Sequence, residues 1–399
     1  MYSSSSRFLL LNTLLIAVAT FMVNPYLVVG AQDTLNISYS NIGLYLMVAL
    51  VIGSVTSLAI GFLSPRKALL NILLTSSAGS VFSFLLMSCS ADSAESSQLI
   101  FLIGLVLLRV CMSCATMITR TIHIMTNADK DCSKLFASAV SVFGVGSAIA
   151  PLIGGFIFET MGFVQLLLGA MGFMFLSLLV LGCAAFFIRT DLNSQTSIDE
   201  KPSSVTSYCV MDNWQLMVGC VLFFCLMGQS FSYIPVQINQ LGESEWIAVF
   251  FGVNAAVLAT LSIPISNWLK RRGGSALHYC ILGLNVLTAS LVIIPIAFSS
   301  LIGVVVVAAL YSFGEILFSA YSLEVLRGKV KAEHISKAVS MYTFLTTSVG
   351  LGLGQYLGVL LLDNVSIYFV SATWIVICAV GYLLLKRTNN EENSTAVSA

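Results

Sequence analysis

Apolar positions in this chain come in long runs separated by short polar stretches. The runs cover residues 8–29, 41–63, 68–90, 99–119, 137–158, 162–188, 214–236, 246–268, 275–297, 301–323, 338–361 and 365–385. Each is about 20 residues or longer. A helix rising 1.5 Å per residue needs that length to cross a hydrocarbon core of about 30 Å. No run alternates strictly between apolar and polar residues, so none reads as a barrel strand. In lipid the backbone must satisfy its own hydrogen bonds, which leaves only helices and closed barrels. The pattern predicts an all-α membrane protein with twelve transmembrane helices. The first run follows Arg7 and mimics a signal peptide. Its cleavage-like triplet, Ala17-Val18-Ala19, lies mid-run, so an uncleaved first span is expected.

The longest polar connection, 189–213, contains Asp191, Asp199, Glu200, Lys201 and Pro202. It divides the spans six and six. The expected organisation is a bundle over 1–188, a linker over 189–213, and a second bundle over 214–399 with a short polar tail. The halves align at a nearly constant offset. Phe8 maps onto Trp214, Arg66 onto Arg272 and Arg109 onto Glu315, each 206 positions on. Lys134 maps onto Lys337 at 203, and Gly146 and Gly154 map onto Gly350 and Gly358 at 204. Matching turns, charges and glycines favour a duplicated six-helix unit. Parallel repeats of this kind place a transport site near the midplane.

Composition narrows the class. Of 399 residues 58% are hydrophobic and 9% charged, against about 25% charged in a soluble domain. So few charges cannot coat a soluble surface, and so much apolar area excludes disorder. Net charge is zero, and the longest basic cluster is Lys270-Arg271-Arg272. Nucleic acid is therefore excluded as a partner. No phosphate-binding Gly-x-x-x-x-Gly-Lys-Ser/Thr loop is present, so no ATP site is expected. The cysteines inside the runs, including the Cys111/Cys114 pair, read as small buried hydrophobes. No metal or cofactor is expected, and His123, His278 and His334 read as solvated or interfacial groups.

The distribution of charge is more informative than its amount. Connections on one side carry Arg7, Arg66, Lys67, Arg120, Lys130, Lys134, Arg189, Lys201, Lys270, Arg271, Arg272, Arg327, Lys329, Lys331, Lys337, Lys386 and Arg387. Connections on the other side carry no Lys or Arg. Cytoplasmic loops are the basic ones, so both termini are expected in the cytoplasm, most simply at a bacterial inner membrane. Trp214, Trp246 and Trp268 fall at span ends, as interfacial aromatics do. A monomer is expected.

Three local patterns carry a family resemblance. Between spans 2 and 3 lies Gly61-Phe62-Leu63-Ser64-Pro65-Arg66-Lys67. Span 4 contains Arg109-Val110-Cys111-Met112-Ser113-Cys114-Ala115. Span 5 contains Gly146-Ser147-Ala148-Ile149-Ala150-Pro151-Leu152-Ile153-Gly154-Gly155. With twelve spans in two halves, the chain resembles the major facilitator superfamily, and in particular its drug/proton antiporters. The turn departs from that family's usual motif by lacking the acid. The resemblance implies gating or packing roles for Arg66, Lys67, Gly146, Ala150, Pro151, Gly154 and Gly155, and it associates the span 5 motif with export. Independently, small residues at spacing four let helices approach closely. Pro151 also removes a helical hydrogen bond.

Two charges, Arg109 and Glu315, lie well inside spans, where each costs at least about 2.5–3.5 kcal/mol. The resemblance implies that spans 1, 4, 7 and 10 line a central cavity, so the two are expected to face each other there. Glu315 is the candidate proton site. Arg109 is the candidate partner of that carboxylate, or the grip for an anionic substrate. Asn24 and Gln229 are candidate substrate hydrogen-bond partners, and Tyr311 a candidate pocket residue. Drug exporters of the family often carry an acid in span 1, and none stands between Arg7 and Asp33. The expected function is proton-driven efflux of a small molecule by alternating access. Alternatives are a dedicated exporter of an anionic metabolite such as a carboxylate siderophore, a proton-coupled importer, and a non-transporting membrane sensor. An enzyme is not expected, because no catalytic constellation is visible.

Overall fold

The computed structural model describes residues 4–63, 68–90, 97–126, 132–193, 213–273, 275–329 and 341–397. Among them the fold is entirely helical. The chain divides into two compact units, Met1–Pro202 and Ser203–Ala399.

The first unit contains α1 (Ser4–Val23), α2 (Leu27–Leu35), α3 (Tyr39–Leu63), α4 (Leu69–Ser90), α5 (Ser97–Thr126), α6 (Cys132–Met161) and α7 (Phe163–Asn193). Within it α1 packs on α6 and α7, and α5 packs on α3 and α4. A cluster of fully buried apolar side chains, among them Leu9, Leu73, Ile118 and Ile188, ties α1, α4, α5 and α7 together. The second unit contains α8 (Trp214–Met227), α9 (Tyr233–Gln240), α10 (Glu245–Arg272), α11 (Ala276–Val292), α12 (Ile294–Ala297), α13 (Leu301–Lys329), α14 (Leu351–Asn364) and α15 (Ile367–Val397). Here α13 packs on α10 and α11, and α8 packs on α14 and α15.

Large apolar side chains point outward as well as inward. Phe156, Phe186 and Ile302 are 67%, 75% and 77% exposed. Such a surface would aggregate in water and is at home against acyl chains. Eleven helical stretches among the described residues are long and apolar enough to cross a membrane. At the expected ninth span stands the 17-residue apolar helix Ala276–Val292.

The apolar pattern predicts a continuous ninth span over 275–297. It instead ends at Val292 and restarts as Ile294–Ala297. Pro295, in the first turn of the new segment, explains the restart: its ring blocks the helical bond to the carbonyl four residues earlier. The first and seventh runs are broken in the same way. A 3₁₀ turn, Asn24–Tyr26, separates α1 from α2 around Pro25. Another, Gly228–Phe231, separates α8 from α9 just before Pro235. In the eleventh run a π-helical segment, Phe344–Gly350, precedes α14. The extra residue per turn re-aims the side chains that follow.

Candidate functional site

Arg109 sits mid-way along α5 and is half-buried. Its Nη2 donates to Asn24 Oδ1 at 3.0 Å. The Asn24 side chain is presented by the 3₁₀ turn at Pro25, so the break in the first run is what places this acceptor. Arg109 Nε is buried without a hydrogen-bond partner. Within its own unit the guanidinium pairs with no carboxylate among the described residues. A cavity of about 10 Å³ adjoins it, lined by Thr20, Asn24, Leu108, Arg109 and Met112 among others. That is room for about one water molecule. Arg109 and Asn24 thus form a preorganised donor group with unspent hydrogen-bonding capacity. An Arg fork is suited to planar anions such as carboxylates.

In the second unit Glu315 sits on α13, also half-buried. Its Oε2 accepts from Asn254 Nδ2 of α10 at 3.3 Å. The same Nδ2 donates to Ser312 Oγ at 2.9 Å. Asn254 was not a sequence candidate. Amides also occur in other spans, and only the register of α10 against α13 selects this one. Tyr311, fully buried one turn from Glu315, packs edge-on against Phe250 and donates its hydroxyl to the Met227 carbonyl. It therefore spans from α13 to the end of α8, where the helix has just broken. Its hydroxyl is committed to that carbonyl.

Gln229 is fully buried. Its Nε2 donates at 2.8 Å to both the Cys225 and the Gly354 carbonyls. The amide nitrogen therefore ties the α8 break to α14, while Gln229 Oε1 is buried without a hydrogen-bond partner. The first unit has a counterpart, because Tyr26 donates to the Pro151 carbonyl at 3.1 Å. Both bonds join residues 125 positions apart, and both bind the broken first span of a unit to its fifth. Glycines make the approach possible. A Cβ at Gly154 would strike the Met22 carbonyl, and one at Gly354 the Cys225 carbonyl. A Cβ at Gly146 would crowd the Ala17 side chain and the Leu14 carbonyl. Ala150 is fully buried, Gly155 is buried, and α6 runs unbroken through Pro151. The structure thus brings the span 5 motif together as a contact surface for α1. Arg66 and Lys67 lie outside the described residues.

The sequence profile of the Major Facilitator Superfamily matches residues 9–348. The chain belongs to the Major Facilitator Superfamily. It is accordingly a secondary membrane transporter and not an enzyme. No curated protein matches it. Among solved structures of this fold, the POT family transporter PepTSo is similar over 100% of this chain and 99% of its own, with a TM-score of 0.78 at 12% identity. A POT peptide transporter in complex with alafosfalin matches 97% of this chain and 95% of its own, with a TM-score of 0.77 at 11% identity. A POT family transporter in complex with 5-aminolevulinic acid matches 97% and 96%, with a TM-score of 0.75 at 12% identity. At these identities the likeness is one of fold.

Proposed function

We propose that this Major Facilitator Superfamily member couples proton movement to transport of a small molecule bearing an anionic group. In this reading Glu315 carries the proton, and Arg109 with Asn24 grips the anion. The observation that supports it most is a shared construction in the two units. Each holds one ionisable side chain mid-way along a spanning helix, bonded to an asparagine from a neighbouring element. Neither has a countercharge within its own unit among the described residues. A carboxylate in low dielectric binds and releases a proton at a free-energy cost the membrane potential can supply, about 2.3 kcal/mol per charge per 100 mV. An arginine there stays charged and binds anions. Alternate occupancy gives exchange: the carrier reorients with the anion in one direction and with a proton in the other. No second energy source is needed.

The direction assigned is export, supported by the Gly146–Gly155 motif. A siderophore or other carboxylate metabolite is then the natural cargo, and a broad cation-drug range is disfavoured by the lack of an acid in span 1. Proton-coupled uptake is the second reading. It is favoured by the likeness to peptide transporters, one in complex with 5-aminolevulinic acid and another with sulfate. Both ligands are anion-forming, which suits Arg109.

Reconstituted vesicles under an imposed pH gradient, with labelled 5-aminolevulinic acid and a carboxylate siderophore on either side, test both readings. Movement of either compound should require the gradient, collapse with an uncoupler and be lost in Arg109→Gln. Movement into the proton-rich compartment indicates export in the cell; movement with the protons indicates uptake. A Glu315→Gln protein that still concentrates cargo against its gradient at the expense of protons overturns the coupling assignment.

A further inference from the structure

The hydrogen bonds around Glu315 run in one direction. The Ser312 hydroxyl donates to the Ala308 carbonyl at 2.6 Å, one turn back on α13. A carbonyl only accepts, so the hydroxyl proton is committed there and Ser312 Oγ presents lone pairs. The side-chain group facing it must be a donor, and it is Asn254 Nδ2, at 2.9 Å. Ser312 is fully buried, so no solvent competes for it. The second hydrogen of the same NH₂ reaches Glu315 Oε2 at 3.3 Å. Turning the amide over would set its carbonyl oxygen against the lone pairs of Ser312 and leave a buried acceptor unsatisfied, which is costly in low dielectric. The amide is therefore fixed with its donor toward Glu315. A fixed donor suits an ionised carboxylate and offers nothing to a proton carried on Oε2.

We propose that Asn254, oriented by Ser312, is a positioning residue that sets the proton affinity of Glu315 by favouring its ionised state. The proposal rests on the reading of Glu315 as the proton site and adds what tunes it.

Tyr311, the neighbouring ionisable group on α13, is occupied with the Met227 carbonyl. From α8 and its break come Cys225, which is buried, and Ser230, whose hydroxyl donates to the Met227 carbonyl at 3.0 Å. α11 meets this turn of α13 through Gly283, where an added Cβ would strike the Gly314 carbonyl. Its Cys280 lies nearer Glu324, more than two turns along α13. On α10 the charged residues Glu245, Lys270, Arg271 and Arg272 are at the ends, and Asn254 is the polar group level with Glu315. No full charge among the described residues of this unit stands beside Glu315.

The test needs no substrate. In purified, lipid-reconstituted protein, infrared spectra recorded across a pH series show the carboxylic-acid C=O stretch of protonated Glu315 as the band that Glu315→Gln removes. The midpoint of that band is the readout. Asn254→Leu deletes the donor and should move the midpoint to higher pH by about one unit, a tenfold gain in proton affinity. Ser312→Ala frees the amide to turn and should move it the same way by less. Because the two act as one unit, the double variant should move it no further than Asn254→Leu alone. Should Asn254→Leu fail to fold, Ser312→Ala, which removes a single buried oxygen, carries the test. An unmoved midpoint in folded variants makes Asn254 interhelical packing only and overturns the proposal. If Glu315→Gln removes no titrating band, the proton-site reading itself fails, which is a separate result.

Discussion

Arg109 and Glu315 show how much a single side chain can mean in a hydrocarbon solvent. Each is conspicuous in sequence because charge there is expensive. The partner of each is not, because Asn24 and Asn254 become relevant only when helices are set side by side. If Arg109 grips an anion through more than charge, Arg109→Lys should weaken binding although charge is kept. A lost charge-assisted hydrogen bond of about 1.5–3 kcal/mol corresponds to at least about a tenfold rise in apparent KM. Asn24→Ala should raise KM by less, since it removes the bond that orients the guanidinium. Transport kinetics of a cargo found in the vesicle assay check both, and equal KM values in Arg109→Lys and the parent would reduce Arg109 to a counterion. At the glycines the expectation concerns stability. Gly354→Ala pushes a Cβ into the Cys225 carbonyl, and backbone yields less easily than a side-chain tip. Overpacking costs about 1–3 kcal/mol. The thermal unfolding midpoint should fall clearly, while Gly172→Ala, with open space at its Cβ, should leave it unchanged.

The informative elements are the broken ones. Prolines 25, 235 and 295 were visible in sequence, yet the corresponding runs were expected to be continuous helices. An apolar run reports only how much of the chain lies in lipid. Where the missing N–H becomes an actual break depends on whether neighbours re-satisfy the freed carbonyls. Near the breaks of the first and seventh spans a side chain bonds across to the fifth span of its unit, Tyr26 to the Pro151 carbonyl and Gln229 to the Gly354 carbonyl. Its position in span 7 makes Gln229 a candidate substrate ligand, and a sequence cannot show that its amide nitrogen bonds to the fifth span of the unit while its oxygen is buried and unpaired. Interhelical bonds of this kind average about 0.6 kcal/mol in membranes. Tyr26→Phe should therefore lower stability slightly with near-normal transport. Gln229→Leu should lower it more, because two backbone carbonyls lose the donor. A Gln229→Leu protein with parental stability but altered cargo preference would make the residue a substrate ligand rather than a structural tie.

At the scale of the molecule, the one-sided distribution of Lys and Arg predicts that both ends of the chain face the cytoplasm. A fluorescent-protein fusion at either end should be bright, and a periplasm-dependent phosphatase fused at Arg387 should be inactive. The reverse result at one end only would mean an odd number of crossings. Membrane residence, helical class, the number of long apolar segments and the two interior charges followed from sequence alone. They depend on transfer energies and on periodicity, which act residue by residue along the chain. What needed tertiary structure was everything set by helix rotation and contact: the breaks of three runs, the tie of Gln229 to Gly354, the acceptor that meets Arg109, and the fixed amide of Asn254. Rotating a helix by one residue turns a side chain by about 100° at almost no change in burial. A pattern of apolar residues in an apolar solvent does not resolve that rotation, and here only the close approach at small residues and the pairing of scarce polar groups decide it.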